Sequence, residues 1–323
     1  MAAHTHLLPV LESGEETLIG GQAVMEGVMM RAPHSYCVAV RKPSGEIITD
    51  TQPLAKVSER YPIFKYPLLR GLGTLGQAMK LGFKALSFSA NIAAEAEEEK
   101  NPSAKPKKGK PISGWMMGLN LAFSLVFFFF LYKYVPLKLT TWLGEYYPGF
   151  QGRIAFNLTD GLIRIAILVT VVYTMSRWKD IRRVFEYHGA EHRVVFNYES
   201  GEEVTVGRAQ SYPTFHPRCG TSFLIVVMLI SMILYAIVPG DSFAEKMLAR
   251  VVLLPVIAGV SYEIIRFAAK RQGSLLNAFT APGLWLQRIT TQPAEPQQTE
   301  VAIVALQGAM ALEESQGGQL VIA

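Results

Sequence analysis

Trp115-Met-Met-Gly-Leu-Asn-Leu-Ala-Phe-Ser-Leu-Val-Phe-Phe-Phe-Phe-Leu-Tyr-Lys-Tyr-Val135 decides the class of this chain. About 20 mostly apolar residues in helical conformation cross a hydrocarbon core. A helix of a soluble core of this length keeps a polar face, and this stretch has none. It predicts a first span over residues 113–136. Three further runs meet the same length criterion. Residues 156–176 carry Asp160 and Arg164 near their start, four apart and able to pair on one helix face. Residues 221–239 end at Pro239-Gly240, and residues 247–267 follow after a tight connection, so these two form a helical hairpin. The expected fold is therefore a membrane protein, mainly α-helical with about four transmembrane helices, plus a small β-rich N-terminal cytoplasmic lobe.

Basic residues set the orientation. Lys105, Lys107, Lys108 and Lys110 precede the first span; Arg177, Lys179, Arg182, Arg183, Arg193, Arg208 and Arg218 lie between the second and third. The loop after the first span has only Lys133, Lys138 and Arg153. The positive-inside rule then places both termini and the central loop, residues 177–220, in the cytoplasm of a multi-pass protein of the cytoplasmic membrane. The net charge of +5 is accounted for by these flanks, with no basic patch interleaved with aromatics, so the lipid bilayer and not nucleic acid is the expected partner. Cys37 and Cys219 stand alone and far apart, as in a reducing compartment. Residues 1–20 lack the basic and apolar regions of a cleaved signal.

Outside the spans, residues 1–66 read as the β-rich lobe. Cys37-Val-Ala-Val-Arg41 and Glu46-Ile-Ile-Thr49 flank Pro43-Ser-Gly45, a hairpin pattern. Residues 67–93 read as an amphipathic helix in the interface or against the bundle, and residues 94–112 as a charged linker. The C-terminal residues 268–323 read as a cytoplasmic tail with one short helix near Glu300, most of it mobile.

The central loop carries the chemistry. At 100° per residue, Ile181, Val184, Phe185, His188, His192 and Val195 share one helix face, and Lys179, Arg182, Arg183, Glu186, Arg193 and Asn197 the other. His188-Gly-Ala-Glu191-His192 sets two imidazoles one turn apart, the spacing of two ligands of one zinc, with Glu191 as a general base for an activated water. The same order occurs in inverted zinc-peptidase sites. A network in which Glu191 simply hydrogen-bonds buried histidines is the structural alternative. His216-Pro-Arg218-Cys219 adds two competent ligands, His216 and Cys219, beside the third span. Cys219 paired with His216 as a nucleophile is a further option. Glu26, in the glycine-rich segment Gly20–Arg31, is a candidate carboxylate ligand, though a turn role suits its surroundings. Glu263 is an intramembrane carboxylate that either acts or pairs with Arg266.

Gly20-Gly-Gln-Ala-Val-Met-Glu-Gly-Val-Met-Met-Arg31, Tyr187-His-Gly-Ala-Glu-His192, His216-Pro-Arg-Cys-Gly-Thr-Ser-Phe-Leu224, Ser261-Tyr-Glu-Ile-Ile-Arg266 and Ala281-Pro-Gly-Leu-Trp-Leu-Gln287 together resemble the YqhQ-like family of bacterial membrane proteins. The resemblance implies a predicted metal-dependent enzyme and no defined reaction. The expectation is a hydrolase holding zinc or another divalent transition metal on His188, His192 and His216 or Cys219, with Glu191 as acid and base. It would act on a lipid or other membrane-associated substrate. The contrasting expectation is a non-enzymatic scaffold or assembly factor that binds a protein partner through its lobe and tail, its His/Glu/Cys cluster purely structural. A transporter ranks third, for want of an inverted repeat.

Overall fold

The computed structural model describes residues 19–100, 114–216, 219–240, 242–270 and 277–317. Arg218, residues 101–113 of the expected linker and the last six residues of the tail fall outside them.

The chain begins as a four-stranded antiparallel meander: β1 (Gly20–Val24), β2 (Gly27–Arg31), β3 (Ser35–Arg41) and β4 (Ile47–Pro53). The anticipated hairpin is the β3–β4 pair, with Arg41 opposite Ile47 and Gly45 supplying the positive φ of its turn. Side chains of a strand alternate between faces, and here both faces are covered. Val28, Met30, Cys37 and Ala39 enter one core, while Met29, Tyr36, Val38 and Val40 enter another. That is why β3 reads as a continuous apolar run.

After the short helix α1 (Val57–Arg60), α2 (Leu69–Lys100) lays Leu81, Ala85 and Ile92 on the second core. It runs past the expected boundary at residue 93. At its start, Arg70 binds Glu263, with Nε to Oε1 at 2.6 Å, and the Leu68 N–H approaches the same carboxylate at 3.3 Å. Glu263 thus pins α2 to the bundle from across the chain.

The bundle follows. Helix α3 (Gly114–Phe129) passes through a π turn into α4 (Val135–Tyr146), so the apolar helix continues beyond residue 136. The wider turn accommodates Pro136, which has no N–H to give. Next come α5 (Arg153–Ser176), α6 (Lys179–Glu199), α7 (Val206–Ser211) and α8 (Gly220–Ile237). Helices α9 (Phe243–Val252) and α10 (Leu254–Lys270) meet at a 49° bend. Pro255 cannot continue the hydrogen-bond ladder and its ring clashes with the carbonyl of Val251. Among the described residues three helices, Ala122–Tyr146, Arg153–Ser176 and Gly220–Ile237, are long and apolar enough to cross a membrane, and the bent pair makes four if it is one span.

The remainder departs from the expected mobile tail. Helix α11 (Asn277–Thr290) packs on α8, and α12 (Pro296–Gly317) lies on the first face of the sheet. Val301, Ala302, Ala305, Leu306 and Ala309 repeat at helical spacing and are all buried. Small alanines let the helix sit close to the strands, and Gly308 touches Cys37. The glutamine-rich segment is polar in composition but bonded in place: Gln298 donates to Glu186 at 2.9 Å. Helix α6 is likewise buried on more of its circumference than one apolar face, with Tyr187, Ala190 and Val194 packed against α12 and the sheet. The sheet-and-helix layer is therefore built jointly from the N-terminal, central and C-terminal segments.

Leu306→Ala removes a fully packed side chain and is expected to cost about 2–4 kcal/mol. A clear fall in melting temperature of the detergent-purified protein checks this; an unchanged melt contradicts a core role for α12.

Candidate metal centre

His188, Glu191 and His192 face a cleft of about 470 Å³ bounded by β1, α6 and the start of α8. Each imidazole is oriented by a backbone carbonyl. His188 Nδ1 lies 2.8 Å from Thr290 O, and His192 Nδ1 contacts Thr214 O. A carbonyl only accepts, so both Nδ1 atoms carry the proton and both Nε2 atoms present a lone pair. His188 Nε2 is 3.2 Å from Cys219 Sγ. His192 Nε2 is buried, with the Cys219 thiol as its polar neighbour. One ligand atom from each of His188, His192 and Cys219 lies within 4.8 Å of the others. Ligand atoms around one tetrahedral zinc sit about 3.3–3.6 Å apart, given bonds of about 2.0–2.3 Å, so modest approach would suffice.

The donor set therefore fits a divalent transition ion. Two imidazoles and one thiolate suit zinc in charge and softness, and a carbonyl behind each ring is the usual outer support of a histidine ligand.

Glu191 is 6% exposed, and its Oε2 has no hydrogen-bond partner. Burial raises its pKa above the ordinary carboxylate value, against the opposing pull of His188, His216 and the Gly21 N–H. Burial also lowers the His192 pKa, keeping that ring neutral and competent as a ligand.

His216 stands at the edge of this group. Its ring centroid is 5.6 Å from that of His192, and its Nε2 meets Glu199 at 3.5 Å. Glu199, two turns beyond His192 on α6, thus serves His216 rather than the three-atom set. The His216 backbone is clamped by Gln287 of α11, which accepts from its N–H and donates to its carbonyl, both at 2.8 Å. Burial lowers the His216 pKa, with Glu191 acting in the opposite sense. Glu26 lies elsewhere, at φ 54° in the β1–β2 turn, where it binds Arg183 and approaches Tyr187 Oη at 3.3 Å. It ties the turn to α6, and Glu263 is engaged by Arg70 as described.

Two participants carried little sequence signal. Thr290 and Thr214 contribute only carbonyls, which any residue has. The glycines are more informative. A Cβ at Gly189 would lie 2.0 Å from the Gln292 carbonyl, and one at Gly21 2.9 Å from the Glu191 side chain. Gly189 thus lets the segment after α11 cross over α6, which brings the Thr290 carbonyl to His188.

Residues 66–312 match a family described as protein of unknown function, DUF1385. The uncharacterized protein YqhQ of Bacillus subtilis (strain 168) is 34% identical over 297 residues, covering 91% of this chain and 92% of its own length. No solved structure matches the chain.

Gly189→Ala is expected to cost at least about 2 kcal/mol, because backbone must move. Gly207→Ala, on α7 with open space around it, is expected to be neutral or to stabilise by up to about 1 kcal/mol. Parallel thermal melts test the contrast, and equal melts for the two variants would refute the crossing constraint.

Proposed function

The chain belongs to the DUF1385, YqhQ-like family, and on that premise we propose that it is a multi-pass membrane protein with a metal-dependent hydrolytic site at the cytoplasmic surface. The observation carrying the chemical half is the paired orientation of the histidines. Two backbone carbonyls hold the Nδ1 protons, which leaves both Nε2 lone pairs directed toward the Cys219 thiol.

The membrane half rests on exposed apolar surface. Phe123, Val126, Leu162, Ile237 and Val252 are each more than 60% exposed on the long apolar helices. Such patches exceed what a soluble monomer shows to water and suit lipid. Basic residues around α6 favour the cytoplasmic side for that end of the bundle, as they do for both termini.

His188 and His192 through Nε2, with Cys219 through Sγ, would hold the ion. When bound, it would supply Lewis acidity to a water and to the bond being cleaved. Glu191 does the proton work. Its desolvated carboxylate accepts a proton more readily than an exposed one, and the unbonded Oε2 is free to take it from the attacking water and return it to the leaving group. The Gly21 N–H and the packing of β1 hold that carboxylate in place. Ile19, Val184, Phe185 and Val195 make much of the cleft wall apolar, which suits a lipid chain or an apolar side chain of a membrane-bound substrate.

Elemental mass spectrometry of detergent-purified protein tests the site. Near-stoichiometric zinc or another transition metal is expected in the wild type, lost in His188→Ala/His192→Ala and retained in Glu191→Gln. Glu191→Gln should lower turnover at least 100-fold on a lipid or peptide substrate pool. A folded wild type that takes up no metal on reconstitution defeats the enzyme reading and leaves a scaffold whose His/Glu/Cys cluster is structural. A fluorescent reporter on the C-terminus is expected to report the cytoplasm; an external location would reverse the orientation.

A further inference from the structure

At the other end of α8 lies a second polar centre of opposite character. Helix α8 spans 18 residues, about 27 Å, from Cys219 to this centre. There Arg153, Asn157, Tyr235, Lys246 and Arg250 border a cavity of about 360 Å³. No carboxylate borders it among the described residues.

The charge balance behind the cavity is uneven. Asp160 accepts from Arg164 at 2.6 Å and pairs with Arg250 at 3.1 Å. Lys133 reaches the Tyr235 hydroxyl at 3.3 Å, and the guanidinium groups of Arg164 and Arg250 lie over the Tyr235 ring at 5.2 and 5.0 Å. Arg164, Arg250 and Lys133 thus surround one carboxylate, and Arg153 and Lys246 add two more cations at the mouth. Two acidic residues flank the lining segments in sequence: Asp241 lies outside the described residues, and Glu245 is engaged in the Ser242 cap of α9. Arg250 is only 2% exposed, yet its Nε has no hydrogen-bond partner. A buried guanidinium with an unused donor, bordering a cation-lined cavity, is an incomplete arrangement in low dielectric.

We propose that this cavity binds the phosphate group of an anionic ligand, with Arg250 at its base and Arg153 and Lys246 at its rim. Guanidinium donors match phosphate oxygens, and the ligand charge offsets the surplus of buried cations. The phosphate belongs either to a lipid headgroup, which rests on the membrane reading above, or to a soluble phosphate compound. The site is separate from the metal centre and stands whether or not that centre binds metal.

The test is titration of the purified full-length protein with inorganic phosphate and with short-chain phosphatidic acid, read by calorimetry. The His188→Ala/His192→Ala variant is titrated alongside, to separate binding at the metal centre. Saturable binding is expected, weakened at least 10-fold in Arg153→Gln/Lys246→Gln, a rim variant that leaves Asp160 paired. Arg250→Gln, if folded, should weaken it further. Binding of phosphate in competition with the lipid identifies a soluble group; binding of the lipid alone identifies a headgroup. Failure of the folded wild type to bind either probe overturns the proposal, as does equal binding by the rim variant.

Discussion

Burying Glu191 and His192 along one helix, with His188 half-buried beside them, obliges three distant segments to bring backbone groups to it. A buried polar atom without a partner costs roughly 1–3 kcal/mol, so a helix with this face cannot pack against apolar side chains alone. Strand β1 supplies the Gly21 N–H, the segment before α8 supplies the Thr214 carbonyl, and the end of α11 supplies the Thr290 carbonyl. These contacts join residues from the beginning, middle and end of the chain. The sheet-and-helix layer closes around the site because the site's side chains require it.

Glycines make that closure possible. Gly21 admits the Glu191 carboxylate against β1, Gly189 admits the Gln292 carbonyl over α6, and Gly283 brings α11 against Ser222 of α8. Each removes a Cβ where two backbones or a backbone and a side chain meet. The last contact has a further effect. It sets Gln287 beside Ser222 at 3.2 Å and beside the His216 backbone, so the bundle and the sheet-and-helix layer share one hydrogen-bonded seam. Glu191 Oε2 is left unsatisfied at this seam, and Glu191 lines the cleft beside His192. Structural networks satisfy their buried members, so an unspent acceptor at a cleft argues for a ligand there.

The bundle places its two polar centres at opposite ends of α8. One is a set of neutral nitrogens and a thiol beside a buried carboxylate; the other is a surplus of cations around Asp160. Their chemistries suit ligands of opposite charge.

Much of this was legible in the sequence. Apolar runs located the three long apolar helices and the bent pair read as a fourth, because length and hydropathy are local properties. The pairing of Asp160 with Arg164 followed from helical spacing, and the β3–β4 hairpin from its turn residues. His188-x-x-Glu191-His192 named the side chains of the cleft, because a one-turn spacing fixes their common face. Pairing of Glu263 with Arg70 was not legible, since the partners lie 193 positions apart. Nor was the fate of the C-terminal segment: its alanine stripe is weakly hydrophobic, and only the facing strands make it a core. The sequence by itself determined the long apolar helices, the β3–β4 hairpin and the candidate ligands, all set by neighbours within a turn or two. Tertiary structure alone decided that Cys219 joins the two histidines, that His216 turns to Glu199, and which backbone carbonyls orient each ring. Those choices depend on contacts between segments far apart in the chain, and backbone groups carry no side-chain identity from which to read them.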